Sequence, residues 1–316
     1  MTEPRSRSRT DTAVTGMRFT RVMAPAPATS TSSGVTLSLT LPFDAESLLD
    51  FLGRRAVPGI ERVDGSRYSR TVRLPSGPAA MSLEVTPERV EGRFWAAHPR
   101  DLAQCLQCAR DLLDLDADPA VIDGHLAASP PLARSVADHP GLRVPGHVDG
   151  FEVAVRAIVG QQISVSGARA ILGRLVATYG DPIAAPFGLT KLFPSAQRLA
   201  GVDVGDLPMP RSRGRALATM AEAVDSKDFA LDRTADPAIV RRHLLALPGI
   251  GPWTADYIAL RALGDPDVFL ATDLGVRQGL TRIGLADRPS AVVESWSPWR
   301  SYAMMHVWKS LEGQTR

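Results

Sequence analysis

Two features of the chain could do chemistry. One is a turn made of Leu247, Pro248, Gly249, Ile250 and Gly251, and the other is a lone acid further on, Asp273. Glycines adopt backbone angles that other residues resist, and they let a ligand come close. The N–H groups of such a turn, next to a helix N-terminus, form an anion site. On its other side, the carbonyls of Leu247 and Ile250 offer oxygens to a monovalent cation. Asp273 supplies one negative charge, able to stabilise a developing positive charge or to orient a water. Each feature also has a plain structural use. Gly-x-Gly makes a tight helix–helix turn, and Asp is a normal helix N-cap.

The flanking elements decide what the turn is. Ala238 to Ala246 reads as a helix. Residues 252–263 read as another, with Ala255, Ile258, Ala259 and Ala262 at helical spacing. Pro252 fits its first turn, where a missing N–H costs nothing. The unit is therefore helix, hairpin, helix. A dinucleotide fold needs a strand before the glycines, and two arginines and a histidine in helical pattern stand there instead. Asp273 follows the apolar segment Val268-Phe269-Leu270 and heads a third helical run to Ile283. At this distance after a glycine hairpin, a single acid suits a site beside a gripped nucleotide strand.

The rest of the chain is α+β. Residues 1–34 are rich in Pro, Ser, Thr and Ala and read as a disordered tail. Residues 35–112 read as a mixed domain. Val35 to Leu41, Tyr68 to Leu74, Ala80 to Thr86 and Arg89 to Ala96 alternate like strands of an antiparallel sheet, and Ala45 to Arg55 is a helix. Residues 113–316 read as all helix.

At 316 residues, with 44% hydrophobic and 22% charged residues, the chain can bury a sizeable core. A net charge of +2 is weak support for a nucleic-acid partner, whose signal is a local patch. Arg211, Arg213, Arg215 and Lys227 form one candidate patch, and Arg241, Arg242 and Arg261 surround the hairpin. Both sets also fit solvated helix faces. No apolar run is long enough for a membrane span. The two cysteines, Cys105 and Cys108, lie in a helical pattern without a second pair and read as structural. The six histidines show no metal-ligand spacing, and His306 reads as packed or hydrogen-bonded.

With these residues in hand, the chain resembles the helix–hairpin–helix, Gly/Pro-and-Asp superfamily of DNA glycosylases, and within it the AlkA-like 3-methyladenine DNA glycosylases II. Besides the hairpin and Asp273, the likeness rests on Phe51-Leu52, Arg55-Ala56-Val57 and Pro140 to Gly146. It continues through Val155 to Gln161, Trp299 to Ala303 and His306-Val307-Trp308. The resemblance implies a small TATA-binding-protein-like sheet domain before a helical core. It implies catalysis by Asp273, a base pocket lined by Trp253, Tyr257, Trp308 and Phe51, and a duplex wedge at Gln161 and Gln162. A leucine is common at the position of Gln162, and a second acid at that of Thr272.

Further expectations follow from the likeness. Relatives that also cut the strand carry a lysine where Trp253 stands, so a monofunctional enzyme is expected, acting on N-alkylated purines in duplex DNA. Two cysteines cannot hold an iron–sulfur cluster, so the only bound ion expected is Na+ or K+ at the Leu247 and Ile250 carbonyls. The default state is a cytoplasmic, nucleoid-associated monomer. An oxidised-purine glycosylase, a non-catalytic helix–hairpin–helix DNA-binding module and a regulatory protein are the alternatives.

Overall fold

The computed structural model describes residues 30–286 and 289–312, and most of the expected tail lies outside them. The N-terminal part is a five-stranded antiparallel sheet. Its strands are β1 (Ser30–Leu37), β2 (Glu61–Asp64), β3 (Arg67–Leu74), β4 (Gly77–Val85) and β5 (Val90–Ala96), in the order β1-β5-β4-β3-β2. β1 starts inside the stretch whose composition reads as disordered. Pairing overrides composition there: Ser30 sits opposite Ala96 and Leu37 opposite Val90, across an irregularity between Ser32 and Val35. β2 has no counterpart in the sequence reading. It is four residues long, three of them charged, and its place is set by pairing with β3 from Glu61↔Arg70 to Asp64↔Arg67.

The helices are α1 (Ala45–Arg55), α2 (Leu102–Leu113), α3 (Pro119–Ala127), α4 (Pro130–Asp138), α5 (Gly150–Gly160), α6 (Val165–Tyr179) and α7 (Ala196–Ala200). They continue with α8 (Arg211–Asp225), α9 (Pro237–Ala246), α10 (Pro252–Ile258), α11 (Leu274–Arg282), α12 (Pro289–Ser295) and α13 (Arg300–Lys309). Asp side chains cap α1, α3, α5, α9 and α11, accepting from first-turn N–H groups. The expected helix over 252–263 is one body with a change of pitch. α10 passes into a π turn at Ala259–Leu263, closed by Gly264 in the left-handed region at φ +69°.

Two large apolar cores form, beside a small third one around Ala80, Trp95, Ala97 and Leu189, and they do not follow chain order. One runs from the sheet and α1 through α2, α3 and α4 into α11 and α13, with Leu112, Leu113, Trp296, Met304 and Val307 inside. The other gathers α5, α6, α8, α9 and α10 around Ile158, Leu175, Leu217, Leu244 and Ile258. Tyr257 packs against both. The last helices thus return to the N-terminal side, and the residues singled out for chemistry collect at the junction. No helix among the described residues is long and apolar enough to cross a membrane.

Candidate active site

Asp273 is half-buried at the head of α11. Its Oδ1 accepts from the Val276 N–H at 2.9 Å, so it caps the helix. Its remaining capacity is used differently. Oδ1 also accepts from Trp308 Nε1 at 3.1 Å, and Oδ2 accepts from Trp253 Nε1 at 3.0 Å. Two indoles from α10 and α13 therefore clamp one carboxylate. The structural and chemical uses of this residue coexist: the cap orients the group, and the indoles fix the plane of its oxygens.

This carboxylate lies in a cleft of about 1470 Å³ whose lining includes Phe51, Arg55, Gln161, Gln162, Trp253, Tyr257 and Trp308. All four aromatic residues picked out in the sequence thus share one concavity with Asp273. Their roles within it differ. Trp253 stacks on Tyr257, ring centroids 5.3 Å apart and planes 20° from parallel, so those two rings cover each other on one side. Phe51, nearly buried on α1, already meets two cations: Arg55 Cζ is 3.7 Å and Arg261 Cζ 4.4 Å from its ring centroid. Lys309 also lines the cleft, beside Trp308, with its Nζ 2.6 Å from Glu312. The sequence reading looked for a lysine in the hairpin and passed over this one, which α13 brings in from the far end of the chain.

The hairpin stands at the edge of the same cleft. Gly249 has φ +84°, and a Cβ there would fall 2.7 Å from the Ala216 Cβ of α8. Gly251 is different: a Cβ would meet nothing, so its glycine leaves open space outward rather than relieving a clash. The Ile250 N–H is spent on the Leu247 carbonyl at 3.2 Å. Among the described residues, the N–H groups of Gly249 and Gly251 have no acceptor, which leaves them available to an anion.

Gln161 and Gln162, adjacent in sequence, separate in space. Gln161 ends α5, and its Nε2 donates to Gly249 O at 3.2 Å and Thr254 Oγ1 at 3.0 Å. Its own carbonyl accepts from Arg213 Nη2 at 2.6 Å. It ties the loop after α5 to the hairpin. Gln162 is exposed, with φ +56°, at the tip of that loop. Ile163 and Val165 beside it are exposed apolar residues, as is Leu274 across the cleft.

Behind the aromatic wall lies a charge network between sheet and helices. Arg70 reaches Glu152 at 2.8 Å and Glu61 at 3.4 Å, and Arg156 reaches Glu61 at 2.5 Å and Glu152 at 2.6 Å. Tyr68 donates its O–H to Glu61 at 2.7 Å. Burial pushes the Glu61 carboxyl up, but Arg156 and Arg70 outweigh that and hold it below the usual range. Burial, reinforced by Arg70 and Arg156, holds His147 neutral, well below the ordinary imidazole range. Elsewhere, burial lowers His306 to about 4, and its Nδ1 lies 3.0 Å from Ser135 Oγ, a packed role as expected. Burial raises the Cys105 and Cys108 thiols to about 12 and about 11.

Comparison with known proteins places this geometry. The AlkA N-terminal domain family matches residues 34–149, and the HhH-GPD superfamily base excision DNA repair protein family matches residues 155–299. The chain is 44% identical over 288 residues to the probable bifunctional transcriptional activator/DNA repair enzyme AlkA of Mycobacterium tuberculosis. That match covers 89% of this chain but only 58% of the length of the relative. It is 34% identical to DNA-3-methyladenine glycosylase 2 of Escherichia coli, covering 86% of this chain and 96% of that one. Its fold matches the 3-methyladenine DNA-glycosylase from Archaeoglobus fulgidus with a TM-score of 0.76 at 20% identity, over 87% and 97% of the two chains. The chain belongs to the AlkA branch of the HhH-GPD superfamily of base excision DNA repair proteins.

Proposed function

We propose that the protein is a monofunctional DNA glycosylase that removes N-alkylated purines from duplex DNA by flipping the base and hydrolysing its bond to the sugar. One observation carries this reading: a lone carboxylate held by two indoles inside an aromatic cleft, with a glycine hairpin at the rim. A base inside a stacked duplex must leave the stack before its sugar bond can be reached, at a cost of a few kcal/mol. Gln162, exposed at the loop tip, would enter the gap, while Gln161 braces that loop against the hairpin. The free N–H groups of Gly249 and Gly251 would hold the strand by a phosphate.

Alkylation leaves such a purine positively charged and already a good leaving group, so a strong general acid is not required. The exposed faces of Trp253, Tyr257 and Trp308 would stack on it, worth roughly 0.5–2 kcal/mol. As the bond breaks, the sugar becomes cationic, and Asp273 stabilises it and orients the attacking water. The Ile250 carbonyl, which no hydrogen bond reaches among the described residues, and the second lone pair of the Leu247 carbonyl suit Na+ or K+. Such an ion would add positive charge beside the bound phosphate. The enzyme would work as a monomer on nucleoid DNA.

Incubation with methylated duplex DNA, assayed for free bases and abasic sites, tests the reading. Release of 3-methyladenine by the wild type and none by Asp273→Asn supports it; equal release by both overturns it. Lys309 makes one arm specific: borohydride should trap no covalent adduct with abasic DNA, because that amine is held by Glu312. An adduct would replace the monofunctional reading with a lyase.

A further inference from the structure

Arg261 is 5% exposed, in the middle of the π turn. Its Nη2 donates to the Gly146 carbonyl at 3.3 Å, and its buried Nε has no hydrogen-bond partner among the described residues. No carboxylate lies within ion-pair distance of Arg261 or of Arg55 among the described residues. Both guanidinium groups flank Phe51, and both line a small cavity of about 30 Å³ behind it, together with Glu61, Arg70, His147, Arg156 and Tyr257. Charges around the cavity do not balance. Glu61 and Glu152 are taken by Arg70 and Arg156, His147 is neutral, and Asp149, which caps α5 through Oδ1, does not line the cavity. Two guanidinium groups are left over. Burial pushes Arg261 down to about 10, the direction expected of a cation without its counter-charge.

We infer that this cavity is a binding site for a single small inorganic anion of halide type, held by Arg261 and Arg55 between the sheet domain and the helical core. A buried unpaired cation costs far more than a buried polar group. Water would satisfy the Nε but leave the charge uncompensated, whereas an anion does both. The volume admits one or two water-sized species and excludes a hydrated oxyanion or a nucleotide phosphate. Sheet-domain residues Phe51, Arg55, Glu61 and Arg70 form one side and His147, Arg156, Tyr257 and Arg261 the other, so the ion would pin the aromatic wall of the cleft from behind.

The test uses the full chain and bromide as the probe. Crystals grown in bromide should show an anomalous peak in the cavity, within contact of Arg261. In solution, replacing gluconate by chloride at constant ionic strength should raise the melting temperature saturably, by roughly 3–8 °C. Arg261→Met should abolish that dependence. Absence of the peak, or identical melting of the wild type in both anions, overturns the assignment in favour of water. The wild-type measurements decide even if Arg261→Met fails to fold, and neither readout depends on glycosylase activity.

Discussion

Carboxylates in two regions of this molecule are treated in opposite ways. Glu61 and Glu152, between sheet and helices, are buried and matched by Arg70 and Arg156. Asp273, in the cleft, is half-exposed and meets no cation at ion-pair distance among the described residues; its partners are two indole N–H groups and one backbone N–H. Opposite charge cancels a carboxylate's field, whereas neutral donors orient it and leave most of the charge to act on its surroundings. The first arrangement suits an acid that joins two parts of a fold, and the second an acid that must act on something not yet bound.

This contrast can be broken from either side. Glu152→Gln leaves Arg70 and Arg156 short of a counter-charge in a buried place. It should cost about 3–5 kcal/mol in denaturant unfolding while base release per folded molecule holds. Asp273→Asn should behave in the reverse manner. Asn caps a helix as well as Asp does, so the melting temperature should stay close to wild type. Base release should fall by roughly 10²–10³-fold, the cost of losing one group aimed at a developing charge. Comparable losses of stability in both variants would erase the distinction.

Asp114 offers a third, unmatched case. Burial raises its carboxyl to about 6, although Tyr302 donates to it at 2.8 Å and Val144 at 3.2 Å. The folded state keeps a proton that the unfolded chain releases from about pH 4, so stability falls as pH rises towards 6 and is level above it. Holding this group at about 6 instead of 3.8 costs ~3 kcal/mol at neutral pH. Asp114→Asn should therefore raise the melting temperature at pH 7, with the gain fading by about pH 4. A gain independent of pH would refute the cause. Smallest of all, Gln161→Ala should cost about 1 kcal/mol of stability in denaturant unfolding, more than Gln162→Ala costs, because only Gln161 bonds to the hairpin.

The half of the candidate site around Asp273 was legible because much of it is local. The glycine hairpin and Asp273 lie within one short stretch of chain, and glycine turns and capping acids leave marks in a sequence. Only family likeness pointed to Trp253, Tyr257, Trp308 and Phe51, and the last two come from distant segments. Nothing marked the buried network. Arginines and glutamates at helical spacing fit a solvated face, and Arg261, grouped with a surface patch by that logic, is buried. What turned it inward is packing against α1 and Phe51, a contact between parts far apart in the chain. β2 was missed for the same reason, since its charged residues form a strand by pairing with β3, with Glu61 matched by Arg70 and Arg156. Lys309 escaped notice because α13 returns to the first core and carries it to the cleft.

One oxygen of Asp273 starts a helix, so its position is inherited from neighbouring backbone and from the two indoles, and not from the other side chains of the cleft it faces. The rest of the cleft can therefore be rebuilt around a fixed point. Directed evolution towards differently shaped bases should accumulate changes at Phe51, Tyr257 and the exposed Leu274 while residue 273 resists replacement, and an alanine there would confound a lost reaction with a frayed helix.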